Sequence, residues 1–133
     1  MIQKTIHASS VVLIATVGGS PRPVASAISA LKPSAVWFVV SDGADGQEGS
    51  RKMVDNETID YGAASAPEWG PGLRHLPDCP HDVRTVEVPA DDPDKTLARC
   101  AELLNEVRRE MPDARVIADY TGGTKSMTGG LLM

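Results

Sequence analysis

Apolar and polar residues follow one another in blocks along this chain, and several apolar blocks have the length of a β-strand. Residues 10–17 form a nearly continuous apolar run rich in β-branched side chains, which is typical of a strand buried on both faces. Residues 35–40 repeat this pattern, and residues 83–88 and 115–119 are further apolar segments of similar length. The pattern therefore predicts four strands.

The segments between these strands carry helical periodicity or helix signals. A helix is predicted over residues 21–31, with Ser20 placed to cap it and Pro21 suited to its first position. Residues 47–59 are polar with weak helical periodicity, and they predict a second helix. Residues 94–111 predict a long amphipathic helix. Its apolar face is expected to consist of Leu97, Ala101, Leu104 and Val107.

Residues 60–82 collect glycine, proline and single apolar residues without a clear period. A loop of this length is unusual in a compact domain, so it is either a functional lid or a variable surface excursion. A last helix is predicted to begin after residues 121–125, and it has room for only one or two turns before Met133. Since folds of this kind usually add a further strand, we expect a chain truncated at its C-terminus.

Strands that alternate with helices predict an α/β, Rossmann-like fold with a mostly parallel sheet and helices on both faces. The 133 residues are near the common size of one domain, so residues 1–133 are expected to form one. Aromatic residues make up only 4% of the chain, and aliphatic side chains must therefore fill most of the core. Trp37 and Phe38, both in the second predicted strand, are expected to join them.

The formal net charge of −5 argues against a domain that binds long DNA or RNA through phosphates. Any nucleotide ligand should be small. The apolar run at residues 11–17 is far shorter than the roughly 20 residues that cross a bilayer, and no leader pattern opens the chain. We therefore expect a cytoplasmic protein that does not bind membranes.

Cys79 and Cys100 are too few for a disulfide framework and are expected to be free thiols. His75, Cys79 and His81 could be considered as zinc ligands, but their spacing is not standard and a fourth ligand is not apparent. We therefore predict no metal site and no cofactor.

Two turns combine glycine, a hydroxyl and a cation, and each follows a predicted strand. They are Gly18-Gly19-Ser20-Pro21-Arg22 and Thr121-Gly122-Gly123-Thr124-Lys125-Ser126. Ligands in open α/β sheets collect at such strand-to-helix turns. Arg22 and Lys125 each lie near the first turn of a predicted helix, where the helix dipole disfavours positive charge. A bound anion or a salt bridge to a carboxylate would explain this placement. The anion is favoured because the conflict occurs twice, at strand ends that are expected to be neighbours.

Neither turn is a standard nucleotide-binding motif. The first lacks the three-glycine spacing of dinucleotide-binding folds. The second lacks both the opening glycine of a P-loop and the glycine immediately before its lysine. ATP hydrolysis is therefore not favoured.

Two segments of the chain resemble the paired signatures of CRISPR-associated Rossmann-fold (CARF) sensor domains. The first is Val17-Gly18-Gly19-Ser20-Pro21-Arg22-Pro23-Val24, and the second, more specific one is Asp119-Tyr120-Thr121-Gly122-Gly123-Thr124-Lys125-Ser126-Met127. The order and spacing of the predicted elements resemble this family over nearly the whole chain.

The resemblance implies a homodimer whose two-fold axis brings both copies of the turns over one cleft, where a ring of four or six adenylates binds. The residues implied to line this cleft are Gly18, Gly19, Ser20, Pro21, Arg22, Thr121, Gly122, Gly123, Thr124 and Lys125. Thr16, Ser41 and Asp42 lie at strand ends and could reach adenine or ribose. Asp119 is also counted among the ligand-binding residues. It could bind a metal, take part in chemistry or cap the turn at residues 121–124, and the cap is favoured.

Members of this family sense the messenger made by type III CRISPR complexes and switch an attached effector, often a nuclease. This chain has no R-x-x-x-x-H ribonuclease pattern, so we expect any effector to lie beyond Met133. Some members instead cleave the ring, and Lys125, Thr124, Ser20 and Thr16 are the candidates for that chemistry. A third possibility is an unrelated Rossmann-like domain that binds a mononucleotide or dinucleotide.

Overall fold

Ten secondary-structure elements make up the part of the chain that the computed structural model describes, which is residues 10–18, 20–41, 49–62, 65–89 and 92–119. In chain order they are β1 (Val11–Val17), α1 (Arg22–Leu31), β2 (Ala35–Ser41), α2 (Lys52–Asp55), β3 (Thr58–Asp60), β4 (Trp69–Pro71), a 3₁₀ helix (Leu73–His75), β5 (Asp82–Val88), α3 (Pro93–Glu110) and β6 (Arg115–Asp119). The four predicted strands and the predicted helices at residues 21–31 and 94–111 are present. Within the described residues, no helix is both long enough and apolar enough to cross a membrane.

Four of the strands form an all-parallel sheet in the order β5-β2-β1-β6. Counted in chain order within this sheet alone, the arrangement is 3-2-1-4. This is the order of the first four strands of a doubly wound nucleotide-binding sheet. The prediction of an α/β, Rossmann-like fold is confirmed.

The two central strands are buried on both faces because their side chains point alternately into two separate apolar clusters. One cluster joins Phe38 and its neighbours to α1, α2 and the 3₁₀ helix. The other joins Trp37 and its neighbours to α3 on the opposite face. Both aromatic residues are buried, as expected. Complete burial of a side chain such as Phe38 contributes about 1.5–3 kcal/mol, so these clusters dominate the stability of the sheet.

The predicted helix over residues 47–59 is wrong over most of its described length. The structure has a four-residue helix, α2, whose one buried side chain is Val54. Asn56 is already extended, and Thr58 and Ile59 belong to β3 instead. These two β-branched residues favour a strand, and pairing with β4 outweighs the weak helical period.

The prediction of residues 60–82 as an irregular loop is also wrong in part. β3 and β4 pair antiparallel in a small second sheet, with Thr58 opposite Pro71 and Asp60 opposite Trp69. The 3₁₀ helix then buries Leu73 against the main sheet. Gly72 allows two backbone segments of the chain to approach closely, since a Cβ at this position would lie 1.9 Å from the carbonyl oxygen of Asn56. Strands of three residues show no period in the sequence, which is why they were not predicted.

The predicted apolar face of α3 is wrong in part, since Val107 alone of its four residues is fully buried, and the bounds of the helix are within one residue of the prediction. Its fully buried positions are Thr96, Cys100, Leu103 and Val107, a spacing of four, three and four. Ala101 is exposed, and Leu97 and Leu104 are half-buried. The hydroxyl of Thr96 donates a hydrogen bond to the carbonyl oxygen of Pro89 at 2.8 Å, which satisfies its burial and fixes the rotation of the helix.

We predict that Leu103→Ala destabilises the domain by roughly 2–5 kcal/mol, because it opens a cavity in a fully buried position. The same substitution at Leu104 removes fewer contacts and should cost clearly less. Denaturant unfolding followed by circular dichroism measures both values. An equal or larger loss for Leu104→Ala would contradict the face that the structure assigns to α3.

Candidate functional site

The carboxyl ends of all four parallel strands lie at one edge of the main sheet. β1 continues through α1 to β2 on one side, whereas β6 lies on its other side and is reached through α3 on the opposite face. The connections therefore diverge between β1 and β6, which creates a topological switch point, the usual ligand crevice of such sheets. The two predicted turns follow these two strands, and the expectation that their strand ends are neighbours is confirmed.

Thr16 and Asp119 form the direct contact at this switch point. Ala15 is paired in register with Asp119, and the Thr16 hydroxyl donates to the main-chain oxygen of Asp119 at 3.4 Å. Thr16 is fully buried, so its hydroxyl is used between strands. The distance is long for a hydrogen bond between oxygens, and the contact is correspondingly weak.

The turn after β1 leads into α1 without the predicted cap. The N-cap position is occupied by Pro21, which is buried, while Ser20 precedes it and is exposed. The prediction that Ser20 caps the helix is therefore wrong. The first turn of α1, all of which is described, contains no acidic residue. No carboxylate of this helix is therefore placed near the free backbone amides at its start. Ser20, whose side chain is exposed, precedes these amides in the chain.

Arg22, the first residue of α1, joins this helix to the two residues that flank the small β3–β4 sheet. Its Nε donates to the carbonyl oxygen of Tyr61 at 2.6 Å, and its Nη2 forms an ion pair with Glu68. The salt bridge considered for this position is thus present. Because both charged side chains are more than half exposed, such a pair contributes about 1 kcal/mol at most. Arg22 can therefore exchange this partner for another anion at low cost.

Ser41, at the end of β2, is bound to the start of α2. Its amide donates to the Ser50 hydroxyl at 2.9 Å, and the Ser50 amide donates to the Ser41 hydroxyl at 3.1 Å. Arg51, which follows Ser50 in the chain, forms an ion pair with Glu87 at 2.8 Å, and this pairing raises the pKa of the Arg51 guanidinium. Ser41 therefore anchors α2 in this structure.

Sequence reasoning missed the partners of the predicted site residues. Glu68 and Tyr61, which hold Arg22, lie 46 and 39 positions along the chain, and Ser50 lies nine positions from Ser41. No spacing rule connects such distant residues.

Several predicted site residues lie outside the described residues. They are Gly19, Asp42, Thr121, Gly122, Gly123, Thr124 and Lys125. Their roles stay predictions. The structure does fix the starting point of the second turn, because β6 ends at Asp119 beside Thr16.

His75, Cys79 and His81 do not form a metal site. Among the described residues, no group of three or more histidine, cysteine or acidic side chains could hold a metal ion. His75 instead lies with its Nε2 3.1 Å from the carbonyl oxygen of Asp55. Burial raises the pKa of the Cys79 thiol to about 11, opposed in part by Arg74, so the thiolate that a metal needs is disfavoured.

We predict that Cys79 reacts slowly with iodoacetamide at pH 8. A pKa of about 11 in place of 9 lowers the thiolate fraction at that pH by about 100-fold. Mass spectrometry of the alkylated peptide gives the rate, with free cysteine as the reference, and the rate should still be rising at pH 10. A rate that levels off near pH 9 would contradict the raised pKa.

We predict that Arg22→Gln loosens the β3–β4 sheet while it changes the free energy of unfolding by about 1 kcal/mol at most. The variant loses the contacts to Tyr61 and Glu68, so hydrogen exchange at these two amides should become several-fold faster. Arg99→Gln is the matched control, since Arg99 forms ion pairs with Glu102 and Glu106 of its own helix, α3. Unchanged exchange in Arg22→Gln would show that this contact does not hold the small sheet.

Comparison with known proteins found no matching family model and no matching curated protein.

Proposed function

We propose that this domain is a receptor for a cyclic oligoadenylate messenger in type III CRISPR signalling, and that it acts as a homodimer that controls an effector. The observation that carries the proposal is the adjacency of β1 and β6 at the switch point, where Thr16 contacts Asp119. The two segments that resemble CARF signatures begin at these two strand ends.

The spacing of the strands suits a phosphodiester ligand. Neighbouring strands of a sheet lie about 4.8 Å apart, so the turns that leave β1 and β6 start within reach of a single phosphate group. Amides at a helix start favour anions, and α1 begins directly after the first turn. A ligand can therefore bind here although the chain carries a net charge of −5.

In this proposal Arg22 exchanges Glu68 for a ligand phosphate. The ion pair is exposed, so water already screens it and little free energy is lost when it opens. Lys125 supplies the second cation from the other turn. Two copies of this arrangement, related by a two-fold axis, match the symmetry of a ring of four or six adenylates.

We predict that the protein binds one ring of cyclic tetra-adenylate or cyclic hexa-adenylate per dimer, as measured by calorimetry. Lys125→Ala and Gly122→Val should each weaken binding at least tenfold, which corresponds to about 1.4 kcal/mol. Arg108→Ala, an exposed cation on α3, is the matched control and should bind normally. Circular dichroism verifies that each variant is folded, and light scattering gives the oligomeric state.

Three other outcomes have distinct meanings. Ring cleavage, detected by chromatography of the ligand after incubation, would identify a ring nuclease instead of a receptor. Preference for a linear mononucleotide or dinucleotide would support an unrelated nucleotide-binding domain. Failure of both rings to bind the folded protein would refute the messenger proposal.

A further inference from the structure

A pocket of about 240 Å³ lies between α2 and the small β3–β4 sheet. Met53 and Ile59 provide its apolar lining, and Trp69 borders it with an indole that is 68% exposed. Four polar side chains also line it, those of Lys52, Asn56, Thr58 and Asp60. A recess that combines apolar side chains, an exposed aromatic ring and a few polar groups has the composition of a small-molecule site.

The exposure of Trp69 is unusual within this chain. The other tryptophan, Trp37, is 3% exposed and lies under the guanidinium of Arg84, 4.6 Å from the centre of a ring. Trp69, in contrast, belongs to neither apolar cluster of the core. Because its exposed ring borders the pocket, it offers a stacking surface to a ligand there.

The backbone that carries Trp69 is held in place before any ligand arrives. It pairs with Asp60 across the small sheet, and the Asp60 Oδ1 accepts hydrogen bonds from the amides of Gly62 and Glu68, both at 2.8 Å. These bonds fix the chain on both sides of the pairing and hold the pKa of Asp60 below its usual range. A ring on a fixed backbone loses little freedom when a ligand stacks on it.

The polar groups of the pocket distinguish between two kinds of ligand for an aromatic ring. Lys52 would repel a quaternary ammonium group, whereas the Asp60 carboxylate, which also lines the pocket, would repel a phosphate placed beside it. A ligand that carries a phosphate must therefore direct it toward Lys52. A nucleobase, in contrast, stacks on an indole. It also presents the donor and acceptor edge that a side-chain amide such as that of Asn56 can pair with.

The size of the pocket sets the size of the ligand. Sites for drug-sized molecules measure roughly 300–1,000 Å³, whereas this pocket measures about 240 Å³. It can therefore take one base with part of its sugar. A phosphate on that sugar would be attracted by Lys52.

We infer that this pocket binds the base of a mononucleotide, stacked on Trp69 and recognised along its edge by Asn56, with the phosphate on the side of Lys52. The site uses none of the residues of the two glycine turns and does not depend on the function proposed for them. It is nevertheless linked to the first turn, because Tyr61 and Glu68, which bind Arg22, directly follow Asp60 and precede Trp69 in the chain.

The test uses the two tryptophans of the chain, whose indole N–H groups give two separate nuclear magnetic resonance signals. Trp69→Phe removes one signal and so assigns it. Titration with adenosine monophosphate should shift the Trp69 signal in a saturable way and leave the Trp37 signal in place. Adenosine should bind more weakly because it lacks the phosphate.

Variants separate stacking from edge recognition. By calorimetry, Trp69→Leu should lower the affinity for adenosine monophosphate at least tenfold, whereas Trp69→Phe should retain most of it. Asn56→Ala should lower the affinity at least fivefold, and Asn105→Ala, an exposed amide on α3, is its matched control. An unchanged Trp37 signal shows that each variant is folded.

Three results would overturn the inference: no shift at millimolar nucleotide, an equal shift with inorganic phosphate alone, or saturable binding of choline instead. Lys125→Ala distinguishes this site from the proposed messenger site. The variant should leave the Trp69 shift unchanged even if ring binding is lost or was never present.

Discussion

The burial of β1 and β2 on both faces is the constraint on which the rest of the structure depends. Side chains of these strands alternate between the cluster under α1 and the cluster under α3, so neither face can remain in contact with water. Parallel strands covered in this way are connected by helical crossovers, and these crossovers are right-handed. Two such helices lie on opposite faces of the sheet only when the direction of strand addition reverses between them. The order β5-β2-β1-β6, and with it the switch point beside β1, follows from this requirement.

The parts of the fold that could be predicted are those in which one pattern extends over many residues. The continuous apolar runs of β1 and β2 and the long period of α3 belong to this class. The region between β2 and β5 does not, because α2 and the strands β3 and β4 have four and three residues each and depend on contacts across the chain. The face of α3 was mistaken because Thr96 and Cys100, which a pattern of strongly apolar residues leaves out, are buried there.

The candidate site, too, could be predicted only in part. That the ends of β1 and β6 lie side by side could be inferred from the order of the elements, since the sheet brings all carboxyl ends to one edge. The partner of Arg22 could not be inferred, because Glu68 precedes β4 of a small sheet that has no signature of its own in the sequence. The identity of the ligand depends on a resemblance in two turns, one of which lies outside the described residues.

The Arg22 side chain lies at the first turn and also supports the small sheet. This double role determines whether ligand binding at one place would favour or oppose ligand binding at the other. A ligand that withdraws the guanidinium from Tyr61 and Glu68 removes support from the frame that carries Trp69. A ligand that stiffens that frame holds the guanidinium where it is. By thermodynamic linkage the two effects would be equal in size, so the two proposed ligands would oppose each other's binding. In these proposals a single arginine is the source of negative cooperativity between the first turn and the pocket at Trp69.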